Sequence, residues 1–324
     1  MKAKHQYAAL FLAVVTAAGT LPLTASAAGA SAKDILNALV GKGSMTAEMD
    51  YNNDSKINAK DLTLAKRTTL QGGQSNSGSI KDYGTKPDTS ATMFSNFAAG
   101  QAGDFFASEG WTNGKPFDCY WYKKNAEIKG DHLELMIDEK WNASDGNTSE
   151  WQPNYSGGEF RTEKYYHYGY YETSMQAIKN DGVVSSFFTY TGPSDKINGV
   201  ENPWDEIDIE ILGKDTTKVQ LNYYHNNQGG HEFMYDLGFD ASEAFHTYGF
   251  DWYSDHITWY VDGKEAHTMY GDMPKVAGKI MMNTWPGVSD PNAKDNTVDW
   301  LKPFNGRTPL SAHYQWVTYG PNKH

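Results

Sequence analysis

The chain has 324 residues, 14% of them aromatic, and a formal net charge of −12. That length holds one large domain with a small companion, or two ordinary domains. The acidic balance, with no basic cluster, excludes a general nucleic-acid binder, whose footprint is basic.

In chain order, Lys2 and Lys4 precede the apolar stretch "YAALFLAVVTAAGTLPL" (7–23), and "ASA" (25–27) is a small-x-small cleavage site. This reads as a secretory signal peptide over 1–27 and predicts a secreted, extracellular protein. A membrane anchor fits less well, because Gly19, Thr20 and Pro22 break the run and no stop-transfer pattern follows. No partner membrane is expected.

Residues 31–71 read as helices around the twelve-residue loop "DYNNDSKINAKD" (50–61). Asp50, Asn52 and Asp54 stand at positions 1, 3 and 5, Lys56 offers its backbone carbonyl at 7, Asn58 stands at 9 and Asp61 at 12. Hard calcium takes six to eight oxygens, and this spacing wraps them around one ion. "LTLAKRTTL" (62–70) supplies the exit helix, and "AKDIL" (32–36) echoes "AKDLT" (59–63) without an acidic loop before it. The segment resembles a dockerin, with Ser55 in place of the turn glycine and Asp61 in place of the last glutamate. The resemblance implies one structural Ca²⁺, a cohesin domain of a scaffold protein as partner, and a cellulosome at the cell surface. Dockerins usually carry two such loops; here the first is truncated.

Residues 72–89, opening "GGQSNSGSIKDYGTKP", read as a flexible linker. From residue 90 to 324 short aromatic and β-branched runs alternate with Gly, Asn, Asp and Pro. The clearest are 168–178, 183–191, 204–212, 218–225, 246–263 and 279–285, with Asp262-Gly263 as a two-residue hairpin turn. No helical period alternates with them, so the expected fold is all-β, an antiparallel sandwich preceded by the small helical calcium module. The single cysteine, Cys119, stands between Asp118 and "YW" and reads as a small core residue.

"WDEIDIEIL" (204–212) carries the chemistry. In a strand, Glu206, Asp208 and Glu210 share one face, and Ile207, Ile209 and Ile211 share the other. Like charges about 7 Å apart destabilise a strand, so the pattern asks for a reason. Each carboxylate raises the pKa of the next, so one can hold a proton while another stays ionised. A carboxyl separation of about 5–5.5 Å would suit retention at a sugar, and about 6.5–9.5 Å inversion. Aromatic residues on candidate neighbouring strands, Phe188, Tyr190, Tyr224 and Trp285, with Trp204 at the strand start, suit the C–H faces of sugar rings.

These residues and their surroundings, "GGEFRT" (157–162), "GVVSSFFTYTGPSD" (182–195), "LGFDASEAFHTYGFDW" (237–252), "WYVDG" (259–263) and "GKIMMNTW" (278–285), resemble bacterial licheninases, the endo-β-1,3-1,4-glucanases of glycoside hydrolase family 16. The resemblance covers nearly all of residues 90–320. It implies a jelly roll with a groove on one sheet, a retaining enzyme needing no cofactor for catalysis, and a monomer whose partner is mixed-linkage β-glucan. It makes Glu206 the nucleophile, Glu210 the general acid/base and Asp208 the residue that tunes them. Glu159, Arg161, Phe188, Tyr190, Trp204, Asn222, Tyr224, Glu232, Asn283 and Trp285 match substrate-cleft positions. The spacing E-x-D-x-E, without the extra residue of β-1,3-glucanases, points to the licheninase branch over a β-1,3-glucanase or transglycosylase. The presence of all three acids argues against a non-catalytic carbohydrate-binding sandwich. Four departures stand out: Gly157 replaces the half-cystine that would pair with Cys119, Gln315 takes the place of a calcium-binding Asp, Asp118 stands where the cleft often has Asn, and 286–300 is longer than usual.

Overall fold

In the computed structural model, residues 32–39, 42–46, 49, 56–57, 92–197, 199–292 and 297–323 are described. The chain divides into two units, Met1–Lys81 and Asp82–His324. In the first, α1 (Ala32–Leu39) carries Asp34 in its first turn, where a carboxylate suits the helix dipole. Ile35 and Ala38 are buried with Met49, and Leu39 and Ile57 pack against them. Spacings of three and four along α1 put these side chains on one stripe. Lys56 is exposed, while Asp50, Asn52, Asp54, Asn58 and Asp61 lie outside the described residues, as do 1–27, 62–70 and 72–89.

The second unit is built of strands. In chain order they are β1 (Met93–Asn96), β2 (Phe105–Ala107), β3 (Cys119–Trp121), β4 (Ala126–Lys129), β5 (His132–Glu139), β6 (Tyr155–Thr162), β7 (Gly169–Gln176), β8 (Val183–Thr191), β9 (Lys196–Ile197) and β10 (Val200–Glu201). They continue with β11 (Asp205–Leu212), β12 (Lys218–Tyr224), β13 (Phe233–Asp236), β14 (His246–Trp252), β15 (His256–Val261), β16 (Lys264–Tyr270), β17 (Lys279–Pro286) and β18 (Leu310–Gly320). A short helix, α2 (Thr297–Leu301), precedes β18.

One hydrogen-bonded path runs β13-β12-β11-β8-β17-β6-β5-β18-β7-β14-β15-β16. The link between β6 and β5 is two residue pairs, Asp138–Ser156 and Glu139–Tyr155. That seam divides the path into a cleft sheet, from β13 to β6 with β2 beyond, and an outer sheet, from β5 to β16. The pairing is antiparallel except for β3, which runs parallel to β6. The all-β antiparallel sandwich expected from the sequence is thus the architecture of this unit.

The core lies between the two sheets. Phe187, Ile207, Ile209, Ile211 and Leu221 from the cleft sheet meet Phe250, Trp259, Tyr314 and Val317 from the outer sheet. Burying each isoleucine contributes about 2 kcal/mol. Two outer-sheet side chains reach across: the Trp259 indole donates to the Asp208 carbonyl at 3.1 Å, and the Tyr314 hydroxyl to the Ser186 carbonyl at 2.9 Å. Both clamp the strands that carry the cleft face. The β15–β16 turn has Asp262 at φ 47° and Gly263 at φ 70°, the left-handed pair that an Asp-Gly hairpin adopts.

Candidate active site

β11 is the floor of the site because its side chains alternate. Ile207, Ile209 and Ile211 are at most 1% exposed on the core side, which leaves Glu206, Asp208 and Glu210 on the other. Registration with the neighbours fixes what flanks each acid. Glu206 lies between Tyr190 of β8 and Tyr224 of β12, Asp208 between Phe188 and Asn222, and Glu210 between Ser186 and Gln220. Beyond β8, Asn283 of β17 pairs with Ser186, and Glu159 of β6 pairs with Asn283. The result is a cleft of 1020 Å³ lined by the three acids and by all ten of the other candidate residues, from Glu159 to Trp285.

Each acid has its own environment. The Trp204 indole donates to Glu206 Oε2, and Asp208 is hydrogen-bonded to Glu206 from the other side. Both contacts favour the ionised form of Glu206, yet burial and the charge of Glu159 push its pKa up to about 7. Asp208 is buried, and burial plus the charges of Glu206 and Glu210 hold it well above the usual carboxylate range. It is the protonated partner of its bond to Glu206. Glu210 is pushed up to about 8 by burial and by Glu206, against a 2.8 Å bond donated by the Gln220 amide. The strand thus holds acids that keep protons at neutral pH beside one steered towards ionisation, the arrangement that acid and nucleophile chemistry needs.

The walls are aromatic and well anchored. Trp204 stacks on Tyr224 with ring centroids 4.4 Å apart and planes 10° from parallel. Glu159 is held by Ser108 at 2.6 Å and by Asn283, and Asn283 in turn accepts from Ser186 at 2.6 Å. The Arg161 guanidinium lies 4.5 Å over the Trp111 ring. Arg161 Nε and Asn222 Oδ1 are buried with no hydrogen-bond partner among the described residues.

The cleft also contains residues the sequence reading did not name. Ser186, Gln220 and Met281 line it, each two positions from a named residue on the same strand, so strict alternation would have found them. Trp111, Asn113, Lys115, Pro116 and Phe117 come from an irregular loop with no periodic signal. Trp300 comes from α2, inside the long 286–300 region.

One expectation needs correction. Asp118 is not a cleft residue: it is 1% exposed and turned towards Asn154, accepting from its backbone at 2.8 Å and from its amide at 3.1 and 3.0 Å. A carboxylate there ties down the Asn154 backbone. At the position expected to lack its calcium ligand, Gln315 accepts a 3.0 Å bond from Ser174.

The model of the glycosyl hydrolases family 16 matches residues 113–302. A xylanase/beta-glucanase of Ruminococcus flavefaciens is 65% identical over 245 residues, which are 76% of this chain and 29% of that protein. A beta-glucanase of Acetivibrio thermocellus is 47% identical over 230 residues, 71% of this chain and 62% of that protein. The chain therefore spans less than two thirds of the length of either relative. Among solved structures, a prokaryotic beta-1,3-1,4-glucanase (lichenase) from a mouse hindgut metagenome is similar at 44% identity and a TM-score of 0.62, covering 71% of this chain and 99% of that one.

Proposed function

The chain belongs to the glycosyl hydrolases of family 16, and from that premise we propose that it is a secreted endo-glucanase that cleaves mixed-linkage β-1,3-1,4-glucan by double displacement with retention. The observation that carries this reading is the β11 floor, where two glutamates flank a protonated aspartate in an aromatic cleft. Glu206 attacks the anomeric carbon, its charge held by the Trp204 indole and by Asp208. Glu210 delivers its proton to the departing glycosidic oxygen, so the aglycone leaves neutral. In the second step Glu210 takes a proton from water as the water attacks the glycosyl ester, which frees Glu206.

The choice of mixed-linkage glucan rests on the unbroken ladder. Every residue from Asp205 to Leu212 pairs in register with β8, so the E-x-D-x-E acids share a face without a bulge. The experiment is product analysis on barley β-glucan beside laminarin. Release of oligosaccharides from the first and little from the second is expected; the reverse would make the protein a β-1,3-glucanase. Glu206→Gln should lower hydrolysis by roughly 10⁴-fold or more. Wild-type rates in that variant would remove Glu206 from its role.

For the first unit we propose that the loop from Asp50 to Asp61 binds one Ca²⁺ and that the module docks onto a cohesin domain. Residues 31–71 are too few to build a core that folds readily without an ion, which supports this reading. Chelation should melt its helices, read by circular dichroism. An unchanged helical signal in chelator rules the proposal out.

A further inference from the structure

α2 places one side chain where it touches the acid machinery at second hand. Leu301 is 1% exposed in the cluster formed with Trp285, Val184 and Leu212, and its carbonyl accepts from the Gly182 amide at 2.9 Å. Lys302, just after the helix, pairs with Asp181 at 3.1 Å. Held this way, Trp300 lies with its ring centroid 5.9 Å from that of Trp285, and its indole Nε1 donates to Gln220 Oε1 at 2.9 Å. Gln220 is itself 6% exposed, and its Nε2 donates to Glu210 Oε2 at 2.8 Å.

We propose that Trp300 is a positioning residue for proton transfer: acting through Gln220, it determines which oxygen of Glu210 carries the proton. This rests on the reading of Glu210 as general acid/base and deepens it. An indole N–H can only donate, so the Gln220 atom facing Trp300 must be the amide oxygen. The amide nitrogen is then turned to Glu210, and Oε2 of that carboxyl must accept. The transferable proton is left to Oε1. Without the indole nothing fixes the amide, because its two ends are nearly the same size. Turned over, it would offer its oxygen to Glu210 and accept the very proton that has to reach the substrate. In the intended orientation the Oε1–H proton passes to the glycosidic oxygen as the C–O bond breaks, and the Glu210 carboxylate left behind is still held by Gln220. In the second step that carboxylate recovers a proton from the attacking water.

The test is the pH dependence of kcat and kcat/KM on soluble mixed-linkage β-glucan for wild type, Trp300→Phe, Gln220→Met and the double variant. The alkaline limb of kcat/KM reports the free enzyme's acid. Losing the donated bond favours the protonated carboxyl, so that limb should move up by about one pH unit in Gln220→Met and about half a unit in Trp300→Phe. In Trp300→Phe, which keeps an aromatic ring in the wall, kcat should fall about 3- to 10-fold while KM stays within about twofold. The double variant should match Gln220→Met, because the indole acts only through the amide. A limb that stays in place in Trp300→Phe, with only KM raised, overturns the proposal, as do effects that add in the double variant. Wild-type kcat in Glu210→Gln would instead overturn the reading of Glu210 on which the proposal stands.

Discussion

Gly157 has no side chain because Cys119 and its neighbours occupy the space. A Cβ at Gly157 would meet the Cys119 sulfur at 2.8 Å, the Trp121 ring at 2.9 Å and the Thr284 carbonyl at 3.1 Å. Two of these three neighbours cannot yield, since one is backbone and the other is a fully buried indole. Gly157→Ala should therefore destabilise the domain by about 1–3 kcal/mol, seen as a lower urea midpoint with the slope unchanged. Reading Cys119 as a core residue from its "YW" context agrees with its complete burial. The tight packing around Gly157 was not legible, because it depends on β3 lying parallel to β6, a pairing between distant segments that no local pattern announces. Trp204 shows the same limit on a smaller scale. It was expected to begin the strand, but it stands one residue before β11 and turns its ring onto Tyr224.

At the scale of one element, β11 has an electrostatic cost that its neighbours do not share. An ordinary glutamate ionises near 4.5, whereas Glu206 and Glu210 keep their protons up to about 7 and about 8 in the fold. Folding therefore takes up protons in that window. Stability falls as pH rises from the ordinary carboxylate range to about 8. Asp208→Asn removes part of this cost and keeps a donor towards Glu206. It should melt about 1–2 kcal/mol more stably than wild type at pH 8, match it near pH 4, and lose activity at both. Thermal melts at the two pH values decide the matter. β8, β11, β12 and β17 were readable in the sequence because their alternation or apolar runs are strong, and with them came most of the cleft floor. The loop carrying Trp111 and Phe117 and the short helix carrying Trp300 were not, because tertiary packing and not local period puts them over the cleft.

For the whole molecule, the division at Lys81 leaves every residue of the cleft within Asp82–His324. A chain beginning at Asp82 should hydrolyse soluble β-glucan with kcat/KM within about twofold of the full chain, since neither acid nor wall is removed. A loss well beyond that would show that the first unit contributes to catalysis. The sandwich itself sets a further condition through β18. That strand pairs with β5 along Leu310–Tyr314, with β7 along His313–Gly320 and with β1 along Trp316–Tyr319. Among the described residues it follows every other strand, yet it sits inside its sheet. On the ribosome, β5 and β7 therefore emerge long before the partner that joins them, each with an open edge waiting for it. The outer layer can close only once β18 has joined them, and until then those two edges are open to pairing with other chains.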